Sequence, residues 1–232
     1  MLSKIYPALI HRYSFNDLAV MDSVGGSAFS GSLLPGAALA NGHVSFGSSQ
    51  AYVMLPRNLF GTSAAGVSIE LWVTTTPTEA YYAKIFQIGG SASYPYYDSV
   101  ALGRDANTGR IVLEYWALSG DYAAGESIQF NAMSNMHCVV VLPLHGFPQL
   151  YLNGALAVTL QTTLQALPSQ NFAYLGQTTW SGGNMGLQGS IDEFRVWQGA
   201  LSASDIHLNF LAGKGNASAG VVMSPIINYF IN

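Results

Sequence analysis

The chain has 232 residues, of which 50% are hydrophobic and 9% charged, with a formal net charge of −4. One large core can be buried at this length, and a single all-β domain of this size is ordinary. Eight Lys+Arg with no basic run exclude the electrostatic footprint of nucleic-acid binding and of attraction to an anionic membrane, and no apolar run approaches the roughly 20 residues that span a bilayer.

The opening stretch MLSKIYPALIHRYSF lacks an apolar h-region with a small-residue cleavage site, so no signal peptide is expected in this chain and a strand is expected over 10–15. Short runs rich in Val, Ile, Tyr and Phe, separated by Gly, Ser, Asn and Pro, predict strands over 51–55, 67–74, 84–88, 100–104, 110–116, 127–130, 137–142, 149–152, 155–160, 172–175 and 188–197. That is the spacing of a sandwich or barrel. In SIELWV, Ile69, Leu71 and Val73 share one face while Glu70, Trp72 and Thr74 share the other.

Asn107 to Gly109 is expected to turn one strand back on the next. Asn153-Gly154 stands between two apolar strands, and Asn-Gly is the pair that best tolerates the two positive φ values of a type I′ hairpin turn. One helix is expected, in SASDIHLNFLAG. Ser202 caps it, Asp205 closes a capping box, Ile206, Phe210 and Leu211 form a stripe, and Gly213 stops it. It reads as a lid on the sandwich edge. Beyond it, 212–220 is a flexible stretch before a last apolar segment, VVMSPIINYFIN, which is either a final strand or an arm packing on a neighbouring subunit.

Cys138, the single cysteine, stands among β-branched residues in HCVVVL and reads as a core thiol. The five histidines show no pair at metal spacing, and His137 reads as a satisfied core residue. His11, His43, His145 and His207 have no nucleophile motif beside them, and neither a G-x-S-x-G elbow nor a phosphate-cradling loop is present.

Four stretches, 11–26 (HRYSF to DSVGG), 68–73 (SIELWV), 136–157 (MHCVVVLPLHGFPQLYLNGALA) and 187–206 (LQGSIDEFRVWQGALSASDI), occur in an order that resembles the laminin-G-like branch of the concanavalin A-like lectin/glucanase superfamily. The resemblance covers roughly 10–211 and implies an all-β jelly-roll sandwich of two antiparallel sheets, with one short helix near the C-terminus. One departure is Met136, where the family often has Trp. The family includes lectins, adhesion modules and glucanases, so fold alone does not choose a function. It also implies an extracellular, cell-surface or particle-surface setting.

The glucanases of this superfamily space their acids as Glu-x-Asp-x-Glu along one strand, and a retaining glycosidase needs two carboxyls about 5 to 5.5 Å apart. No such triplet occurs here. Asp192 and Glu193 are adjacent, so an extended chain is expected to send them to opposite faces, with Asp192 alongside Phe194 and Val196 and Glu193 paired with Arg195. A catalytic role is therefore not expected. The resemblance also implies a structural calcium between the early loop and the Ile-Asp-Glu strand, with Asp22, Gly25 and Asp192 as its residues. Hydrogen bonding of the two acids without a cation is the alternative.

What remains is aromatic. Tyr94, Tyr96 and Tyr97 stand beside Asp98 in one loop, and Trp180 stands in another. Such rings can lie on the C–H face of a sugar, anchor a protein partner, or pack on their own sandwich. Trp72, Trp116 and Trp197 belong to strands and read as core or sheet-face residues. Two functions follow from different features. Rim loops point to a non-catalytic binding module for a glycan or a surface protein. The low charge and apolar C-terminal segment point to a self-assembling structural protein, a homo-oligomer that hides them between subunits.

Overall fold

The computed structural model describes residues 7–48, 50–61, 65–76, 81–90, 97–130, 133–179 and 185–216. The C-terminal strand or arm lies outside these residues.

Fifteen strands form two antiparallel sheets. In the first, β13 (Ala155–Thr159), β12 (Gln149–Leu152), β11 (Met136–Leu142), β6 (Val67–Thr75), β15 (Gly189–Gln198), β4 (His43–Phe46) and β3 (Ala37–Ala40) lie in that order, and β1 (Ala8–Tyr13) also pairs with β15. The second runs β10 (Tyr122–Gln129), β9 (Arg110–Trp116), β8 (Ser99–Arg104), β7 (Lys84–Gly89), β14 (Phe172–Leu175), β5 (Val53–Leu55) and β2 (Ser32–Leu33). The all-β sandwich and its single short helix are thus as expected.

Period-two alternation builds the core. Ile69, Leu71, Val73, Cys138, Val140, Phe194 and Val196 of the 8-stranded sheet meet Ile88, Val100, Leu102, Ile111 and Leu113 of the 7-stranded sheet, all fully buried. Each such side chain contributes about 1.5–3 kcal/mol relative to exposure. Burial pushes the Cys138 thiol up, as befits a core cysteine. The Asn153-Gly154 turn has φ values of 48° and 79°, the positive pair expected of it.

The helix, α1 (Ala203–Ala212), carries the expected capping box of Ser202 and Asp205, and Gly213 ends it with φ 75°. The helix meets the edge strand β13 and also covers the outer face beside it. Ile206 packs with Leu201 and with Val139, Val141, Tyr151 and Trp197, outward-pointing residues of β11, β12 and β15. Accordingly Leu211 is 66% exposed while Asn209 is buried. Among the described residues no helix is long and apolar enough to cross a membrane.

Candidate functional site

The acid pair sits where β15 changes neighbours. One edge of β15 pairs with β6 throughout. Its other edge pairs with β4 through Gly189, Ser190 and Ile191, and with β1 from Phe194 to Gln198. The ladder with β6 slips between Ile191 and Glu193, leaving Asp192 as a bulge. A bulge adds a residue and resets the alternation. Ile191 and Phe194, three apart, consequently both enter the core. The expectation of opposite faces for the two acids is therefore corrected. Asp192 and Glu193 line the same shallow depression of about 210 Å³, with Ser14, Asn16, Asn41, Gly42, Lys214 and Gly215.

Both acids of this depression are engaged by cations. Glu193 Oε1 accepts Nε–H of Arg12 at 2.7 Å and Nε–H of Arg195 at 2.5 Å, the expected pairing with Arg195, while Oε2 accepts the Gly215 N–H at 2.8 Å. Burial works to raise the Glu193 carboxyl. The bond from Arg12, the charge and bond of Arg195 and the Gly215 amide outweigh it and hold the group below the usual carboxylate range. Asp192 Oδ1 takes Lys214 Nζ–H at 2.6 Å. An ionised carboxylate with both oxygens accepting N–H bonds suits a brace between β1, β15 and the end of α1, not a proton donor to a leaving group.

The residues expected around calcium are engaged in hydrogen bonds and ion pairs within the protein. Asp22 Oδ1 accepts the backbone N–H groups of Arg12, Val24 and Gly25 at 3.0, 3.0 and 2.8 Å, and Oδ2 pairs with His11 Nδ1 at 2.6 Å. Gly25 thus offers its N–H, not its carbonyl. Its glycine identity follows from packing, since a Cβ there would lie 2.3 Å from Asp22 Oδ2 and 2.4 Å from His11 Nδ1. Asp192 is directed at Lys214 instead. Calcium takes six to eight oxygens. Here the oxygens of Asp22 are committed to N–H donors, and among the described residues no group of three or more His, Cys, Asp or Glu converges.

A third polar group went unforeseen in extent. Glu70, fully buried, accepts from His137 Nε2 at 2.8 Å on Oε1, and on Oε2 from Trp197 Nε1 at 2.8 Å, Arg195 Nη1 at 3.2 Å and Asn209 Nδ2 at 3.3 Å. Trp72 lies over the Arg195 guanidinium at 4.7 Å and beside His137 at 4.5 Å. The hint in the sequence was the outward set of β6, Glu70 and Trp72, which only a covering element such as α1 can bury.

On the opposite sheet the outer face is open along β2, β5 and β14, where Ser32 and Met54 are exposed. The register places Ser32, Met54 and Tyr174 in one cross-strand row of β2, β5 and β14. Tyr174 stacks edge-on to Tyr52 at 5.2 Å and tilts against Phe172 at 5.4 Å. Phe172 and Tyr174 floor a groove of about 320 Å³ whose polar lining is Ser30, Ser32, Arg57 and Asn171. The strand phase held the signal, because Val53, Leu55, Ala173 and Leu175 point inward and Tyr52, Met54 and Tyr174 must then point out.

Of the residues expected to bind a ligand, Tyr94, Tyr96 and Trp180 lie outside the described residues. Tyr97 is 39% exposed and rests beside Gly120 in the β9–β10 turn. Asp98 holds φ 62°, its Oδ2 accepts the Ser169 N–H at 3.0 Å, and its carbonyl accepts the Gly90 N–H at 2.8 Å. Gly90 in turn accepts Asn171 Nδ2–H at 2.8 Å. The tyrosine loop is thereby fastened at its base to the Asn171 end of the groove.

Domain 4 of AbnA, an extracellular GH43 arabinanase from Geobacillus stearothermophilus solved in complex with arabinotriose, superposes with a TM-score of 0.66 at 20% identity, over 88% of this chain and 98% of that one. The receptor binding domain of botulinum neurotoxin C/D mosaic serotype gives 0.68 at 15% identity, over 88% and 51%. The binding domain of Paraclostridial Mosquitocidal Protein 1 gives 0.68 at 12% identity, over 88% and 52%. This chain therefore spans about half of those two toxin domains, and at such identities the likeness carries the fold alone. No curated protein matches the sequence. A family model described as concanavalin A-like lectin/glucanases superfamily matches residues 46–207. That is well over half of the chain, which belongs to this superfamily.

Proposed function

We propose that this chain is a non-catalytic binding module that holds a saccharide along the outer face of its 7-stranded sheet. The observation that carries this reading is the groove floored by Phe172 and Tyr174 and edged by Ser30, Ser32, Arg57 and Asn171. Aromatic rings offer a flat apolar surface to the C–H face of a sugar, while convergent polar groups take its hydroxyls. The arabinanase domain solved with arabinotriose shares the fold, which supports the choice of a saccharide over other ligands. The engagement of Asp192 and Glu193 with Lys214, Arg12 and Arg195 supports the absence of hydrolysis.

Tyr94, Tyr96, Tyr97, Asp98 and Trp180 are proposed as further ligand contacts on their chemistry alone. Ligand recognition needs no calcium. A glycan array run in calcium and in chelator tests this reading, with Tyr174→Ala as the control variant. Binding that survives chelation and is lost with Tyr174→Ala is the expected result. An array without any Tyr174-dependent binding overturns it.

A further inference from the structure

The groove carries a charge whose placement names the class of ligand. Seven of the eight basic residues are described, and six of them are engaged within the protein. Arg12 and Arg195 bind Glu193, Lys84 pairs with Glu114, and Lys214 pairs with Asp192. Arg104 donates to the Tyr81 carbonyl and Arg110 to the Ser127 carbonyl. Arg57 alone, exposed on the groove wall, makes no hydrogen bond or ion pair with a described residue. In a protein that otherwise pairs its few cations, an unpaired guanidinium beside aromatic rings stands out.

Arg57 is also held in place by its backbone. Pro56 precedes it, the Asn58 N–H donates to the Gln170 carbonyl at 3.3 Å, and the Phe60 N–H donates to Gln170 Oε1 at 2.6 Å. This turn is tied to the residue next to Asn171, so Arg57 and Asn171 stand close together on the groove wall. No acidic residue lines the groove. Asp98, at the base of the connected loop, spends its Oδ2 on the Ser169 N–H. The groove therefore sets a cation beside neutral hydrogen-bonding groups, with no acid among its lining residues.

We propose that the groove selects a saccharide bearing an oxyanion, a uronate carboxylate or a sulfate ester, which Arg57 grips while the sugar ring lies on Tyr174. The planar guanidinium fork matches two oxygens of either group. The inference rests on the saccharide reading of this groove and adds to it the charge of the ligand.

Calorimetric titration of the full chain with trigalacturonate, a sulfated galactotriose and neutral galactotriose tests it, using wild type, Arg57→Gln, Arg57→Lys and Tyr174→Ala. We expect one or both anionic trisaccharides to bind about tenfold or more tightly than the neutral one, since hydrogen bonds to charged groups supply that much discrimination. Arg57→Gln should erase the preference, Arg57→Lys should keep part of it, and Tyr174→Ala should weaken all three ligands. Added salt should weaken the anionic ligands selectively. Comparison of the uronate and the sulfate arms identifies which oxyanion fits. Equal affinity for charged and neutral trisaccharides, or a preference that Arg57→Gln leaves intact, overturns the proposal while the saccharide reading stands. Loss of Tyr174-dependent binding to every saccharide overturns both.

Discussion

Two sites on the outer faces of this sandwich treat charge in opposite ways. On the 8-stranded sheet, Glu70, His137, Arg195, Trp197 and Asn209 form one hydrogen-bonded group, sealed from water by α1. On the 7-stranded sheet, Arg57 stands at an open groove beside Tyr174 with no described partner. A buried charge that loses its partner is costly, whereas an exposed one is not. The first site is thus organised to keep the fold in one arrangement, and the second presents a cation that no described residue pairs. Charged residues are scarce here, and what surrounds each one separates scaffold from ligand surface more cleanly than residue type does.

The sharpest way to break this comparison is at Glu70. Glu70→Ala removes the shared buried acceptor of His137 Nε2, Arg195 Nη1, Trp197 Nε1 and Asn209 Nδ2, and should destabilise the protein by about 3–5 kcal/mol, the range for removing one partner of a buried pair. Urea unfolding followed by tryptophan fluorescence measures this. A loss under about 1 kcal/mol would mean that water reaches the network and that the two faces do not differ in kind.

Glu193 comes next and adds a pH signature. Its folded-state carboxyl titrates below the ordinary value of 4.5, so the ionised form is favoured on folding. The stability it contributes is fully present above the unfolded value and is lost as pH falls through the lower folded one. Glu193→Gln should cost roughly 2 kcal/mol at neutral pH, in line with charge-assisted hydrogen bonds. Its stability should also fall less steeply than that of wild type on acidification below about pH 4.5. Parallel acid-unfolding curves would show that Arg12 and Arg195 do not hold the ionised form. Ser202→Ala should cost about 1 kcal/mol by removing the cap of α1, with a matching fall in thermal midpoint.

Much of this contrast was legible in the sequence, and the failures are local. The hairpin at Asn153-Gly154 and the capping box at Ser202 declare themselves through residues that suit one backbone geometry. The same dipeptide at Asn41-Gly42, with φ values of 53° and 75°, joins β3 to β4. Those two strands, and β2 before them, were not foreseen, because Gly, Ser and Ala crowd 31–48 and depress the β signal there. The start of β10 was hidden for the same reason in YAAGES. At Asp192 the parity rule failed because it assumes an unbroken ladder. A bulge follows from β15 exchanging β4 for β1 along one edge, a fact of the sheet rather than of the strand. The groove was missed because attention to loops passed over outward rings on β14.

The smallest expected change in stability is the most informative about that groove. Arg57 has no described partner, occupies solvent, and owes its position to a turn held by Gln170 through backbone and side-chain bonds that do not involve its guanidinium. Arg57→Gln should therefore shift unfolding free energy by no more than about 0.5 kcal/mol, as for a surface substitution away from caps, cores and networks, even though it lies on a wall where a structural arginine would be missed. Differential scanning calorimetry of the variant beside Glu70→Ala measures the two faces on one scale. A cost above about 1 kcal/mol would reveal an internal partner for Arg57 and place its charge with the scaffold. An unchanged midpoint leaves a cation that folding does not use.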